Sequence, residues 1–217
     1  MKSKATALLL SYARQSNLLK IINSLRSQSA PIEIFLWNNN PLDKTKYDVD
    51  LQIDSSKNLM CWPRWFMANY ASSDYIFSLD DDFIFRDEKV IEDCIFYCQK
   101  QNDKGAIGFF GVHLNKDKSY WGSKHLVAGE TDKVDILKGR FIFCPKSVLR
   151  LNSEAFGASI DNPRIEDDIF ISSLIKNKTL PLFLRNRFLN LPDYNNGLYA
   201  QKEHKASRQD SCHKLFK

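Results

Sequence analysis

Three carboxylates in a row, Asp80-Asp81-Asp82, follow directly on the apolar segment Tyr75–Leu79 and precede Phe83-Ile84-Phe85. Acids crowded together repel one another, and a cation or water must compensate. Oxygen ligands of this kind favour Mg²⁺ or Mn²⁺ over Zn²⁺. In an open α/β sheet, ligands bind beyond the carboxyl ends of the strands, where these acids would stand. Strand alternation predicts Asp80 and Asp82 on one side and Asp81 on the other. The competing reading is a solvated acidic turn, which the apolar residues on both flanks disfavour.

A second acidic group, Glu166-Asp167-Asp168, opens the apolar stretch Ile169-Phe170-Ile171. Acids in a first helical turn stabilise the helix through its dipole, and that alone would explain them. A positioned carboxylate can also take the proton of a hydroxyl nucleophile. The basic candidates are Arg14, Arg64, His204 and Arg208. Guanidinium forks match phosphate oxygens, so together they could hold a diphosphate. His204 could instead ligate a metal. Neither GxxxxGK[ST] nor GxGxxG occurs, and Gly totals 8. A bound diphosphate would therefore depend on a metal and side chains rather than on a glycine-rich cradle. Aromatic residues such as Tyr120 and Trp121 could stack on sugar faces, whereas Trp62 reads as core.

These residues need a frame. Thr6–Leu10 is a continuous apolar run of strand length. Leu18, Leu19, Ile21, Ile22 and Leu25 recur at helical spacing, with Ser16 as the expected N-cap. Ile32–Trp37 is the next strand, closed by Asn38-Asn39-Asn40-Pro41. Strand, helix, strand makes a βαβ unit and a parallel sheet. Pro63 suits a first helical turn, continued by Trp65, Phe66 and Tyr70. Tyr75–Leu79 and Ala106–Phe110 read as strands, with a helix through Val90, Ile91, Cys94, Ile95 and Cys98 between them. Further strands are expected at Lys133–Leu137, Phe141–Cys144 and Leu180–Leu184. Helices are expected at Pro145–Leu151 and Ile165–Lys176, and the tail after Asn195 is polar and basic. The expectation is α/β: one domain over residues 1–217 with a mostly parallel central sheet flanked by helices. Its donor-binding half would span about 1–112 and its acceptor-side half about 113–217.

The 217 residues are 43% hydrophobic and 26% charged, which excludes disordered, collagen-like and coiled-coil chains. A net charge of +5 is spread out rather than gathered into a stripe, which argues against a nucleic-acid partner. Five cysteines without a CxxC pair read as reduced thiols. No apolar run is long enough for a signal or a membrane span. The expected location is cytoplasmic, with room for further domains in a longer native protein.

The ordered landmarks resemble the GT-A class of nucleotide-sugar glycosyltransferases, and most closely the exostosin-type transferase domain. Ser11-Tyr12-Ala13-Arg14 resembles that family's opening Tyr-x-Arg turn. Phe35-Leu36-Trp37-Asn38-Asn39 resembles its Trp-Asn-Asn strand end. Leu79–Asp82 resembles its DxD metal triad, Asp167-Asp168-Ile169 its second acidic pair, and Gly197–Leu215 its C-terminal segment. The free thiols resemble a viral or bacterial cytosolic relative rather than a secreted one. The resemblance implies that Asp82 coordinates Mn²⁺ or Mg²⁺, with Asp80 and Asp81 touching ribose or metal-bound water. It implies that Asn38 or Asn39 contacts the nucleoside with Asn58 nearby, that Tyr12 belongs to the nucleotide-sugar site, and that Arg14, Arg64 and Arg208 face the diphosphate. Asp168 would stand at the reacting centre, with Asp167 as its near competitor. The implied activity transfers a sugar from a nucleotide diphosphate, UDP by expectation, to a hydroxyl of a glycan or glycoprotein acceptor. A sugar nucleotidyltransferase is the enzyme alternative; it usually needs a glycine-rich phosphate loop, and Thr6–Asn17 contains no Gly. A non-catalytic glycan-binding domain of the same fold is the other alternative.

Overall fold

The computed structural model describes residues 4–130, 133–149, 166–192 and 202–216. The strands are β1 (Ala5–Ser11), β2 (Ile32–Asn38), β3 (Leu51–Asp54), β4 (Tyr75–Leu79), β5 (Phe83–Phe85) and β6 (Gly105–Gly108). Beyond these come β7 (Phe110–His113), β8 (Lys124–Val127), β9 (Ile136–Leu137), β10 (Phe141–Pro145), β11 (Asn177–Thr179) and β12 (Phe188–Asn190). The α-helices are α1 (Gln15–Arg26), α2 (Pro63–Met67), α3 (Val90–Lys100), α4 (Asp167–Leu174) and α5 (Lys202–Leu215).

Seven strands form the main sheet in the order β11-β6-β10-β4-β1-β2-β3. β1 pairs in parallel with both β2 and β4, β2 with β3, and β6 with β11. β10 alone runs antiparallel, against β4 and β6. This is the expected mostly parallel α/β sheet. A small sheet, β8-β7-β9, and a ribbon, β12-β5, flank it.

The central strands read as unbroken apolar runs because both their faces are covered. On one face Ala7, Leu9, Ile34, Leu36, Phe77 and Phe143 pack against Leu18, Ile21 and Leu25 of α1 and Ile91, Cys94 and Cys98 of α3. On the other, Leu8, Phe35, Ile76 and Ile142 meet Trp65 and Met67 of α2 and Ile171 of α4. Alternate residues of β1 thus enter different cores, as a period of two requires. All five cysteines are free, and all but Cys61 are buried.

Several boundaries differ from the sequence reading. α1 starts at Gln15, one residue before the expected cap Ser16, and no side chain caps it. α2 begins at Pro63 as expected, but it tightens into a 3₁₀ turn over Ala68–Tyr70. Lys133–Leu137 is strand only at its last two residues. The expected helix from Pro145 is a single 3₁₀ turn, Lys146–Val148, and its last two positions lie outside the described residues. The strand expected at Leu180–Leu184 sits earlier, at Asn177–Thr179, and Leu182–Leu184 is a 3₁₀ turn. Pro181 stands between the two; it has no N–H to give a ladder. Ile165, the expected start of α4, and Gly197 lie outside the described residues.

Candidate active site

Because β1, β2, β3 and β4 run in parallel, their carboxyl ends share one edge of the sheet. Arg14 follows β1, Asn38 ends β2, and Asp80–Asp82 follow β4. β10 runs the other way, so its beginning reaches the same edge and delivers Lys138, Gly139 and Arg140 to it. The pairing of Phe141 with Leu79 sets this register, and the Asp80 N–H donates to the Arg140 carbonyl at 3.1 Å.

Each acid of the triad meets a guanidinium. Arg14 reaches Asp81 Oδ1 at 2.5 Å and Asp82 Oδ2 at 3.1 Å. Arg140 Nη2 approaches Asp82 Oδ1 at 2.9 Å, and Arg64 Nη1 approaches Asp80 Oδ1 at 2.8 Å. This corrects the alternation expected from strand geometry. β4 ends at Leu79, so the acids lie on a turn closed by Phe83 N–H to Asp80 C=O. Asp81 and Asp82 share one cation while Asp80 turns to another. Burial lifts the Asp81 carboxyl to about 6 against the pull of Arg14, and Asp80 adds to the rise.

Arg64 links the two acidic groups. Its side chain is only 4% exposed, and its Nε lies 3.3 Å from Asp167 Oδ2. Trp65 Nε1 donates to the same oxygen at 2.8 Å. Arg64 therefore stands between carboxylates rather than open to a ligand. Asp168 Oδ2 accepts from Arg208 Nη2 at 2.8 Å and from the Gly139 N–H at 3.0 Å, while its Oδ1 is buried without a partner. Burial pushes the Asp168 carboxyl up, but Arg208 and the two hydrogen bonds outweigh it and hold it below the usual range. For Asp167 burial prevails over Arg64, and the adjacent Asp168 charge adds to the rise. The pair is thus split into a committed anion and a carboxyl that gives up its proton less readily.

α5 explains how a polar tail becomes helix. It has no apolar stripe, and cross-helix partners hold it instead. His204 Nδ1 lies 3.2 Å from Glu166 Oε1 and Arg208 Nη1 3.6 Å from Glu166 Oε2. Arg208 also stacks 4.5 Å over the Tyr120 ring, and Cys212 is buried. His204 thus faces Glu166 through Nδ1.

Two expected nucleoside contacts have other work. Asn38 and Asn39 are fully buried. Asn38 donates to the Asp43 carbonyl at 2.9 Å and to Asp54 Oδ1 at 3.2 Å, and it accepts from Asn40 N–H. Asn39 donates to the Met60 carbonyl at 2.7 Å and accepts from Leu59 N–H at 3.1 Å. Asn38 braces the β2–β3 connection and the last residue of β3, and Asn39 braces the loop after β3 against the end of β2. Tyr12 and Asn58 are exposed at the same edge. Sequence reasoning missed Arg140, which bridges Asp82 and Asn190 Oδ1 and lies 4.4 Å over the Phe83 ring. Its signal was the Lys138-Gly139-Arg140 run, which reads as a break between strands until β10 is paired with β4.

A divalent cation is implied by the sequence resemblance. Among the described residues, no three His, Cys, Asp or Glu side chains are grouped to hold a metal by themselves. The donor chemistry still fits, because Mg²⁺-like ions take one or two carboxylates and complete their shell with water and substrate phosphate. Asp80 commits only Oδ1 to a guanidinium, and Asp82, with Oδ1 on Arg140 and Oδ2 on Arg14, would exchange one of these contacts for the ion.

The glycosyltransferase family 64 domain matches residues 5–217. The chain belongs to this family. The edge just described is its candidate active site. Solved structures agree at the level of fold. Staphylococcus aureus TarS residues 1–349, in complex with UDP-GlcNAc, is 13% identical with a TM-score of 0.55, over 81% of this chain and 55% of that one. The mannosyltransferase PcManGT from Pyrobaculum calidifontis, in complex with GDP-Man and Mn²⁺, is 10% identical with a TM-score of 0.57, over 83% and 55%. The chain thus spans little more than half the length of either. No curated protein matches it. Among the described residues, no helix is long and apolar enough to cross a membrane.

Proposed function

We propose that this family 64 domain is a metal-dependent GT-A transferase of exostosin type, formed by residues 1–217 as one unit. It moves a sugar from a nucleotide diphosphate to a hydroxyl of a glycan. The observation that carries the reading is the meeting of two acidic groups across one tripeptide, with Arg140 on Asp82 and the Gly139 N–H on Asp168. A donor lying along this edge would place its diphosphate by the triad and its sugar toward Asp168. The neighbours' names pair the fold with UDP-GlcNAc and with GDP-Man and Mn²⁺, so uridine and guanosine donors are both to be tried, uridine first.

Asp82 and Asp80 would hold the cation, which supplies positive charge against the diphosphate as it leaves. Arg14 and Arg140 orient Asp82 and are close enough to share the phosphate oxygens. Arg208 fixes Asp168 as an anion, leaving Oδ1 to accept from a substrate hydroxyl. Asp167, raised by burial and locked by Trp65 and Arg64, keeps Arg64 in place.

The test is calorimetric titration of UDP and GDP with Mn²⁺ and then with EDTA, alongside transfer assays. Metal-dependent binding of one nucleotide is expected. Asp82→Ala should lose nearly all transfer with its fold intact, and Asp168→Asn should lose turnover far more than donor affinity. A protein that binds neither nucleotide in either condition refutes the donor reading.

A further inference from the structure

The cations expected to face a diphosphate are already matched by acids. Arg14 is held by Asp81 and Asp82, Arg64 by Asp80 and Asp167, and Arg208 by Asp168 and Glu166. Arg140 shares Asp82. One cation at this edge differs. Lys138 is half-buried on the turn that leads into β10, two residues before Arg140, and a Cβ at Gly139 between them would face Arg64 and Asp168. The Lys138 Nζ and the Arg140 guanidinium both approach the Phe110 ring, at 6.0 Å and 5.5 Å. Among the described residues, no carboxylate pairs with Lys138.

We propose that Lys138 is a substrate-binding residue that takes the terminal phosphate of the nucleotide diphosphate. The inference rests on the donor reading above and adds to it the residue that holds the leaving group. The position follows from the chemistry of the bond that breaks. The terminal phosphate is joined to the sugar carbon at the reacting centre, while the same diphosphate binds at the acid triad. It must therefore lie between Asp168 and Asp82, and Lys138-Gly139-Arg140 is the segment that touches both. The transfer forms a bond from the acceptor oxygen to the sugar carbon and breaks the bond between that carbon and the phosphate oxygen; the hydroxyl proton passes to Asp168, and the electron pair of the broken bond leaves with the phosphate oxygen. A free ammonium beside it stabilises the charge that grows there. The electrostatics agree. Burial, with repulsion from Arg208 and Arg140, outweighs the attraction of Asp168 and pushes the ammonium down to about 8. A carboxylate partner would do the opposite, and an incoming phosphate would relieve the strain.

UMP lacks the terminal phosphate, so comparing UDP with UMP isolates the effect. Calorimetry with Mn²⁺ on the full chain would use the wild type, Lys138→Met, Lys138→Gln and Lys138→Arg, each first shown to melt like the wild type. UDP affinity should fall about tenfold or more in the Met and Gln variants, since a hydrogen bond to a charged group is lost. UMP affinity should stay within about twofold, and Lys138→Arg should recover most of the UDP loss. Unchanged UDP affinity, or equal losses for UDP and UMP, overturns the assignment. A KM effect confined to the acceptor also overturns it and moves Lys138 to the acceptor side. Wild-type protein that binds no nucleotide refutes the donor reading itself, a result distinct from any of these.

Discussion

Replacing Arg208 with Met should be among the most costly single changes in the molecule. The Arg208 and Asp168 side chains are 9% and 4% exposed, and their closest atoms are 2.8 Å apart. Removing the guanidinium strands Asp168 as a buried anion whose remaining hydrogen bond is from the Gly139 N–H. Breaking a buried pair from one side costs about 3–5 kcal/mol, mostly the desolvation of the abandoned charge. Arg208→Met also loses the stacking on Tyr120. Asp168→Asn should cost less, about 1–3 kcal/mol, because Asn still accepts from Gly139 and Glu166 remains near Arg208. In the double variant no charge is stranded at position 168, so part of the loss returns. The coupling energy should be about 2 kcal/mol, well outside additivity. Urea unfolding followed by fluorescence of the four tryptophans gives all four corners of the cycle. If the double variant equals the sum of the singles within about 0.5 kcal/mol, the pair is uncoupled, and the account of Asp168 as an anion fixed by Arg208 is wrong.

The acid limb should report the same carboxylate. Its folded pKa is depressed, so its contribution is complete above the unfolded value near 4 and is lost as pH falls through the lower folded value. The stability gap between wild type and Asp168→Asn should therefore shrink as urea midpoints are measured from about pH 5 down to about pH 2.5; a gap that widens reverses the sign and the assignment. Gly129 sits at φ +86°, where a Cβ would meet Leu182 Cδ1 at 2.5 Å. Gly129→Ala should cost about 1–3 kcal/mol, whereas Gly139→Ala, whose nearest contacts would be Arg64 Nη2 and Asp168 Cβ at 3.5 Å, should melt close to the wild type. Thermal melts of the two variants side by side check the contrast.

The sequence was most legible where one physical requirement dominated. Strands buried on both faces must be apolar throughout, so β1, β2, β4 and β10 stand out, and α1 and α3 show the helical period of a one-faced contact. The acid triad was visible because carboxylates directly after such a strand break its pattern. The sequence was least legible where polar contacts shape the chain. Helix α5 has no apolar stripe to betray it, and Glu166, Asp168 and Tyr120, distant in sequence, supply the partners that hold it. β11 was displaced in the reading because the apolar Leu180–Leu184 looks more like a strand than Asn177-Lys178-Thr179 does. Lys178 is nonetheless buried, and its ammonium donates to the Ser172 and Ile175 carbonyls.

For the site, the order and type of residues along the chain determined that acids and arginines would gather beyond the strand ends, since a parallel sheet aligns those ends. Which acid meets which cation was decided only by tertiary structure. Arg14 spans two acids because β4 stops at Leu79. Arg64 is buried between two acidic groups because α2 packs under both. Asn38 and Asn39 are internal braces because the next loop folds back over them. Lys138 and Arg140 reach the site only because β10 runs antiparallel. Chain chemistry sets what each residue is able to do, but charge pairing depends on separations of a few ångströms between residues tens of positions apart. Strand register and helix docking set those separations.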